Sequence, residues 1–473
     1  MGAAILVARR RRRRFADGAG ARPVPVARAA RTFQVARTAT RIGRGYAFDS
    51  ARQVFASAAR KEDLKAERQL RTATDVVETL GSMKGAAMKL GQLASFLDGT
   101  MAEPVREALA TLQQDAPPMA PELAAQVIEA ELGGPPDVVF DTWDEVPIAA
   151  ASIGQVHRAI TRDGLAVAVK VQYPGVDQAI RGDLDNTAAL LTMSRLAFPS
   201  LDAEPLIGEL RLRLLEELDY RLEAESQQRF AQAFDGHPFI HVPAVRSDLS
   251  TGRVLTSELV SGARYHELEG WSQEERDMAG ESIFRFVFGC LYRMHGFNGD
   301  PHPGNYLFHG QGRVTFLDFG LVKWFTPDEV AMLARMVDAI VVKRDAAEFR
   351  AAVEAAGFLK PAPSLTDEQV VDHLSHYYEM VLQHGRSTCT PEYASETVRR
   401  FFDAGSDVVR HASIPAPFVV LQRINLGLYA VLAGIRATAD WRRIAEELWP
   451  WVDAPPSTDL GRAEAAWRAT KNS

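Results

Sequence analysis

Apolar and polar positions change rhythm several times along the chain, and those changes outline its organisation. Residues 1–22 carry no apolar period: the Arg9–Arg14 run gives way to Gly and Ala, a composition expected to stay disordered. From about Pro25 to Ala59 apolar residues recur at helical spacing with arginines between them. That pattern suits either a helix on a membrane surface or a basic helix packed on its own body. Residues 62–133 keep the helical period and stop at Leu132-Gly133-Gly134-Pro135-Pro136. The texture then turns to strand. Val138 to Val171 is rich in β-branched residues, with Arg162-Asp163-Gly164 turning between two strands, the second running from Leu165 to Val171. Helical texture returns over 175–233, and Arg253–Val260 reads as a strand. From Glu274 helices dominate, apart from a strand pair at Tyr306–Phe308 and Val314–Leu317. No internal repeat is visible. The order is a helical preface, a small sheet with helices, then a helical lobe, which predicts an α+β fold.

Composition narrows the picture. The 473 residues are 47% hydrophobic and 24% charged, enough for a sizeable core without disulfides. Cys290 and Cys389 have no metal-ligand spacing and are expected to be small buried apolar groups in a reducing, intracellular setting. The net charge of −7 hides an asymmetry: residues 1–60 hold fourteen arginines against Asp17 and Asp49, or +12, which leaves −19 on the remainder. Such a body does not bind nucleic acid, while the arm suits an anionic membrane surface or RNA. The best apolar stretch, Phe418–Ile435, is interrupted by Gln422, Arg423 and Asn425 and falls short of the ~20 residues of a span. The apolar residues Ala3–Ala8 precede the arginine run, the reverse of a signal peptide, although an Arg-rich start also fits an organellar transit peptide. The expectation is a cytoplasmic protein, peripheral on the membrane, with no transmembrane helix.

Four side chains suggest chemistry. Phosphoryl transfer needs a cation on the phosphates, a carboxylate to orient it, oxygen donors for Mg and a carboxylate near the nucleophile. Lys170 closes the apolar run Val167-Ala-Val-Lys170. Asp318-Phe319-Gly320 follows a short apolar strand, the context of a metal-chelating aspartate. Asp300-Pro-His-Pro-Gly-Asn305 sets a carboxylate and an amide five residues apart, in a loop stiffened by two prolines. Any one of these is weak, but all of them in this order are specific. Lys170 needs a carboxylate partner, and Glu216, Asp219 and Glu223 share one face at helical spacings.

Two absences matter as much. Where a Gly-x-Gly-x-x-Gly loop would cover the phosphates, the chain has Ala149-Ala150-Ala151-Ser152-Ile153-Gly154-Gln155, whose Cβ atoms limit close approach to phosphates. Only Leu321–Phe325 separates Asp-Phe-Gly from Thr326-Pro-Asp-Glu329, a helix start with Thr at N-cap, Pro at N1 and Glu at N3. That leaves no room for a long peptide-binding loop, so a protein substrate is disfavoured.

At these residues the chain resembles the UbiB/AarF/ADCK family of atypical kinases over roughly 65–450. The family's K-x-G-Q stands as Lys89-Leu-Gly91-Gln92, its alanine-rich loop as Ala149–Gln155, and its E-x-D as Glu217-Leu-Asp219. The resemblance implies a two-lobed protein-kinase-like fold with a helical N-terminal extension and an expanded helical C-lobe. Its expected segments are an arm (1–60), a helical extension (61–135), an N-lobe with a helical insert (136–262), a C-lobe (263–452) and a tail (453–473). It implies ATP and Mg as cofactors, with Asp300, Lys170 and Glu223 catalytic, Glu223 being the helix partner of Lys170. Asn305 and Asp318 would hold Mg. The alanine loop, with Glu258 and Val260 in the linker, would contact ATP. Lys89, Gly91, Gln92, Glu217 and Asp219 would regulate, Lys89 pairing with the Glu217/Asp219 carboxylates. Further implied are ATP hydrolysis, membrane association and support of isoprenoid-quinone or other lipid metabolism, with an isoprenoid lipid or quinone precursor as partner. Asn298-Gly299 stands where the family often has His-Ala. The alternative is a nucleotide-gated scaffold that binds lipid or partner proteins with little turnover.

Overall fold

Residues 119–184, 211–212, 215–298, 301–361, 364–401, 406–413, 415 and 418–471 are described in a computed structural model. The basic arm, the Lys89-Leu-Gly91-Gln92 segment and Asp300 lie outside the described residues.

Helix α1 (Pro121–Leu132) starts with Pro in its first turn and stops at Gly133, whose φ of 79° suits a residue without Cβ. Its Ala124, Val127 and Ile128, at i, i+3 and i+4, are buried against a sheet. The segment expected to hold two strands holds four: β1 (Phe140–Trp143), β2 (Ala149–Ala150), β3 (Gly154–Thr161) and β4 (Ala166–Gln172). The first two are too short for their periodicity to stand out. Gly164, at φ 85°, makes the β3–β4 turn. The N-terminal sheet runs β1-β3-β4-β6, with β2 on β3 and β6 spanning Val254–Glu258; every pair is antiparallel. Val167, Val169 and Val171 point from β4 to the α1 side, each fully buried and worth roughly 1.5–3 kcal/mol. Lys170 therefore points to the other side.

Helix α2 (Tyr220–Ala233) begins later than the periodicity suggests. Asp219 is its N-cap and accepts the Arg221 N–H at 3.1 Å, so Glu216 and Asp219 do not share a helical face with Glu223. After β6 the chain crosses to the second lobe through Leu259, whose N–H donates to Ala166 O at 3.0 Å. Ala263 and Phe308 then exchange backbone bonds of 2.9 Å on the far side.

The second lobe is built around α3 (Gln273–Gly289), whose Ile283, Phe284 and Phe286 are buried in its core. The expected strand pair, β8 (Tyr306–Phe308) with β9 (Val314–Phe316), gains β5 (Ile240–His241) in parallel to β9. A second pair, unannounced by the sequence, joins β7 (Gly296–Asn298) to β10 (Val322–Trp324). Gly296 is required there, because a Cβ would lie 2.5 Å from the Trp324 ring. Helix α4 (Pro327–Val337) has the expected start, a reciprocal capping box between Thr326 and Glu329. Thr326→Ala should cost ~1 kcal/mol in chemical denaturation, since it orphans the Glu329 N–H. No measurable loss would show that water serves that amide equally well.

Both cysteines are free and buried. Among the described residues no helix is long and apolar enough to cross a membrane, including α5 (Val419–Gly434). After α6 (Trp441–Leu448), the segment Asp459–Lys471 forms α7 with Leu460 and Glu464 buried. Arg285 of α3, 1% exposed, holds it there through Glu464 at 3.1 Å, and also bonds Glu281 and Glu447 at 2.7 Å. At the other end of α7, Trp467 Nε1 donates to Asp235 O at 3.1 Å, just beyond α2.

Candidate functional site

Between the sheet and the second lobe, Lys170 sits opposite Val156 on β3 and Leu255 on β6. Its Nζ donates to both carboxylate oxygens of Glu223 at 2.8 Å and lies 3.9 Å from Asp318 Oδ2. The ammonium also stands 4.9 Å from the centroid of the Tyr220 ring. Burial opposes the Lys170 charge, but the Glu223 and Asp318 carboxylates outweigh it and hold its pKa well above the usual value. Burial pushes the Glu223 carboxyl up, against the pull of Lys170. A cation shared between two carboxylates is ready to transfer part of its contact to an incoming anion.

Asp318 is fixed by its neighbours. Leu317 N–H donates to Asn305 O at 3.0 Å, which lays the two loops side by side. Gly320 N–H donates to Asp318 Oδ1 at 2.9 Å, and Asn298 Nδ2 donates to Asp318 O at 2.7 Å. Phe319 is buried, 4.9 Å ring to ring from Phe230 of α2 and 6.5 Å from Phe286 of α3. Asn305 closes the turn Pro303–Asn305, with its N–H on His302 O at 2.9 Å. A carboxylate and an amide oxygen are hard donors, and Mg characteristically takes one or two protein oxygens together with substrate phosphates. The donor set of Asp318 and Asn305 fits that ion.

The alanine loop is a tight hairpin. Ala149 and Ala150 form β2 opposite Val156 and Gln155, and Ala151 N–H donates to Gly154 O at 2.9 Å. Ile153 is buried, and its carbonyl accepts from Tyr173 N–H at 2.9 Å. Ser152 Oγ donates to Glu217 Oε1, tying the loop to the segment that leads into α2. A Cβ on Gly154 would fall 2.2 Å from Val171 O, so only glycine fits.

Three of the expected residues have other partners in the fold. The Gln155 side chain does not face the cleft. It pairs with Val171 on the α1 side, fully buried, where its Oε1 accepts Met119 N–H at 2.8 Å and its Nε2 meets His157 Nε2 at 2.8 Å. Strand alternation, invisible until the register is known, turns it there. Glu258 directs its carboxylate to His241 Nε2 at 3.1 Å, and Val167 is its cross-strand partner, so only its backbone can address the cleft. Asp219 caps α2, as described above, and its role opposite Lys89 lies outside the described residues. Sequence reading also missed Tyr220 beneath Lys170 and Gln172. The Gln172 amide clamps Leu218 O at 3.0 Å and Gly252 O at 3.2 Å. The spacing of Tyr220 three residues before Glu223 was the available signal.

Comparison with known proteins places these residues in context. A family model described as the ABC1 atypical kinase-like domain matches residues 111–353. The chain is 38% identical over 252 residues to Atypical kinase COQ8B, mitochondrial, of Rattus norvegicus, covering 53% of this chain and 48% of that one. It is 32% identical over 264 residues to Atypical kinase COQ8, mitochondrial, of Saccharomyces cerevisiae, covering 55% and 53%. An uncharacterized Mycobacterium tuberculosis protein, Rv0647c, is 31% identical over 357 residues, covering 72% and 68%. Thus the chain spans about half the length of the COQ8 relatives and two thirds of the mycobacterial one. Among solved structures, the complex of Rv3197 with erythromycin from Mycobacterium tuberculosis superposes with a TM-score of 0.60 at 30% identity, covering 82% of this chain and 98% of that one.

Proposed function

Because the chain belongs to the ABC1 atypical kinase-like family, we propose that it binds MgATP between its sheet and its helical lobe and breaks the terminal phosphoryl bond. The observation that carries this reading is Lys170 held 2.8 Å from Glu223 and 3.9 Å from Asp318. A structural ion pair needs two partners; a third, half-exposed carboxylate facing a cleft suits a metal-bound phosphate. Glu223 orients Lys170, and Lys170 contacts the phosphates. Asn305 and Asp318 hold Mg, which supplies charge neutralisation when bound. Asp300 orients or deprotonates the acceptor, whether water or a small or lipid molecule. The backbone at Glu258 and Val260 meets the base, and Ala149–Gly154 cover the phosphates. Residues 322–324, paired with β7, occupy the stretch where a peptide platform would begin, which disfavours a protein acceptor.

The wider role in this reading is support of isoprenoid-quinone or other lipid metabolism at an anionic membrane surface, reached through the basic residues of 1–60. The extension at 61–135, with Lys89, Gly91 and Gln92, restrains the cleft. The test is thermal stabilisation by MgATP, followed by ATP hydrolysis with and without anionic vesicles carrying an isoprenoid quinone precursor. A nucleotide at 100 times its Kd should stabilise by about 2.7 kcal/mol. Turnover that rises with the vesicles supports the enzyme. Binding without turnover identifies a nucleotide-gated scaffold, and no stabilisation at all removes the nucleotide reading.

A further inference from the structure

Tyr220 opens α2 directly after its cap, with its N–H donated to Gly252 O at 2.9 Å. It shares a helical face with Glu223, three residues on, and both are turned toward Lys170. The ring is 1% exposed and lies under the ammonium. Beyond the ring, the hydroxyl reaches the end of the alanine loop, where a Cβ built on Gly154 would stand 3.0 Å from it. That oxygen is buried and has no hydrogen-bond partner among the described residues.

Phenylalanine would fill the same space and face the same cation without the penalty of a buried, unpaired hydroxyl. Such a group costs stability unless some state of the protein pairs it, and it therefore calls for an explanation. Burial keeps the phenol protonated, its pKa pushed far above the ordinary value, so the group is a donor seeking an acceptor. Its location defines the acceptor. It lies between the cation that would hold phosphates and the loop that would cover them.

We infer that the Tyr220 hydroxyl donates a hydrogen bond to a phosphate oxygen of the bound nucleotide, placed beside Lys170 by α2 and reached when the alanine loop shifts off it. This rests on the nucleotide reading above and adds a binding residue to it. Lys170 supplies charge and Tyr220 supplies direction. Because one helix carries both Tyr220 and Glu223, the phosphates and the lysine's orienting carboxylate respond to a single rigid element.

Tyr220→Phe tests this by deleting one oxygen. Three quantities are compared with wild type: the melting temperature without nucleotide, the Kd for MgATP and MgADP, and the Kd for adenosine. The expected result is a nucleotide-free melting temperature unchanged or raised, phosphate-bearing nucleotides bound about tenfold more weakly, and adenosine bound as before. Equal MgATP affinity overturns the inference. So does equal weakening for adenosine and MgATP, which would make the hydroxyl a packing group. A nucleotide-free melting temperature lower by several degrees also overturns it, by showing a partner already present without ligand. If wild type itself binds no MgATP, the nucleotide reading fails with it. When wild type binds and Tyr220→Phe binds equally, only the role of Tyr220 is lost.

Discussion

Asp318→Asn should abolish the thermal stabilisation given by MgATP and lower any ATP turnover by about a thousandfold. The substitution keeps the shape of the side chain and an oxygen for Gly320 N–H, now at 2.9 Å from Oδ1, but removes the charge that would face Mg. Several kcal/mol of charge stabilisation at a phosphoryl group correspond to a loss of that size. The fold should be little affected, because the loop is anchored by groups the substitution leaves alone. Phe319 stays packed on Phe230, Leu317 N–H stays on Asn305 O, and Lys170 retains Glu223 at 2.8 Å. The measurement is the melting temperature with and without MgATP, beside an ATPase rate. An undiminished MgATP shift would remove Asp318 from the metal site, leaving its 3.9 Å approach to Lys170 as a purely structural contact.

A second large effect is expected far from the cleft. Arg285→Met should destabilise the protein by ~3–5 kcal/mol, because it strands buried carboxylates whose charge the guanidinium balances. Glu281, Glu447 and Glu464 are each under a tenth exposed, and Arg285 reaches them at 2.7, 2.7 and 3.1 Å. Arg293 meets the Glu464 carboxylate at 3.1 Å and the Glu447 backbone oxygen at 2.8 Å, and Arg468 also pairs with Glu464. Burial already raises the Glu464 pKa against the pull of Arg285 and Arg293, while Glu281 and Glu447 would lose the arginine that balances them. The consequence should be local first. Helix α7 is pinned by this cluster at one side and by Trp467 and Lys471 on Asp235 at the other. Its release should be seen in hydrogen exchange over 459–471 and then over the end of α2. A loss below 1 kcal/mol would mean that water reaches the cluster, and that α7 is held by its apolar contacts instead.

How much of this the sequence carried depends on how far apart the interacting residues lie. The capping box of α4 was legible because Thr326, Pro327 and Glu329 act on one another within a single turn. Gly133 and Gly164 were legible for a similar reason: a left-handed φ is a property of one residue. The identities of Lys170, Asn305 and Asp318 stood out because phosphoryl chemistry restricts residue types at fixed spacings in a fixed order. None of them revealed its neighbours.

Tertiary structure decided the rest. Periodicity offered Glu216, Asp219 and Glu223 as one face, but Asp219 ends the preceding turn by capping α2, and only Glu223 reaches the lysine from that trio at 2.8 Å. The sides taken by Gln155 and Glu258 depend on strand register, which partners elsewhere in the sheet impose. Strands of two or three residues, such as β5, β7 and β10, have no readable period and exist because distant segments pair with them. The helix at Asp459–Lys471 owes its place to Arg285, 179 residues before Glu464. Local sequence thus specified caps, turns and the chemical types at the site, because their energies act within a few bonds. Which side chains face one another across the cleft was settled by contacts between residues tens to hundreds of positions apart, whose energy appears only once the lobes have closed around them.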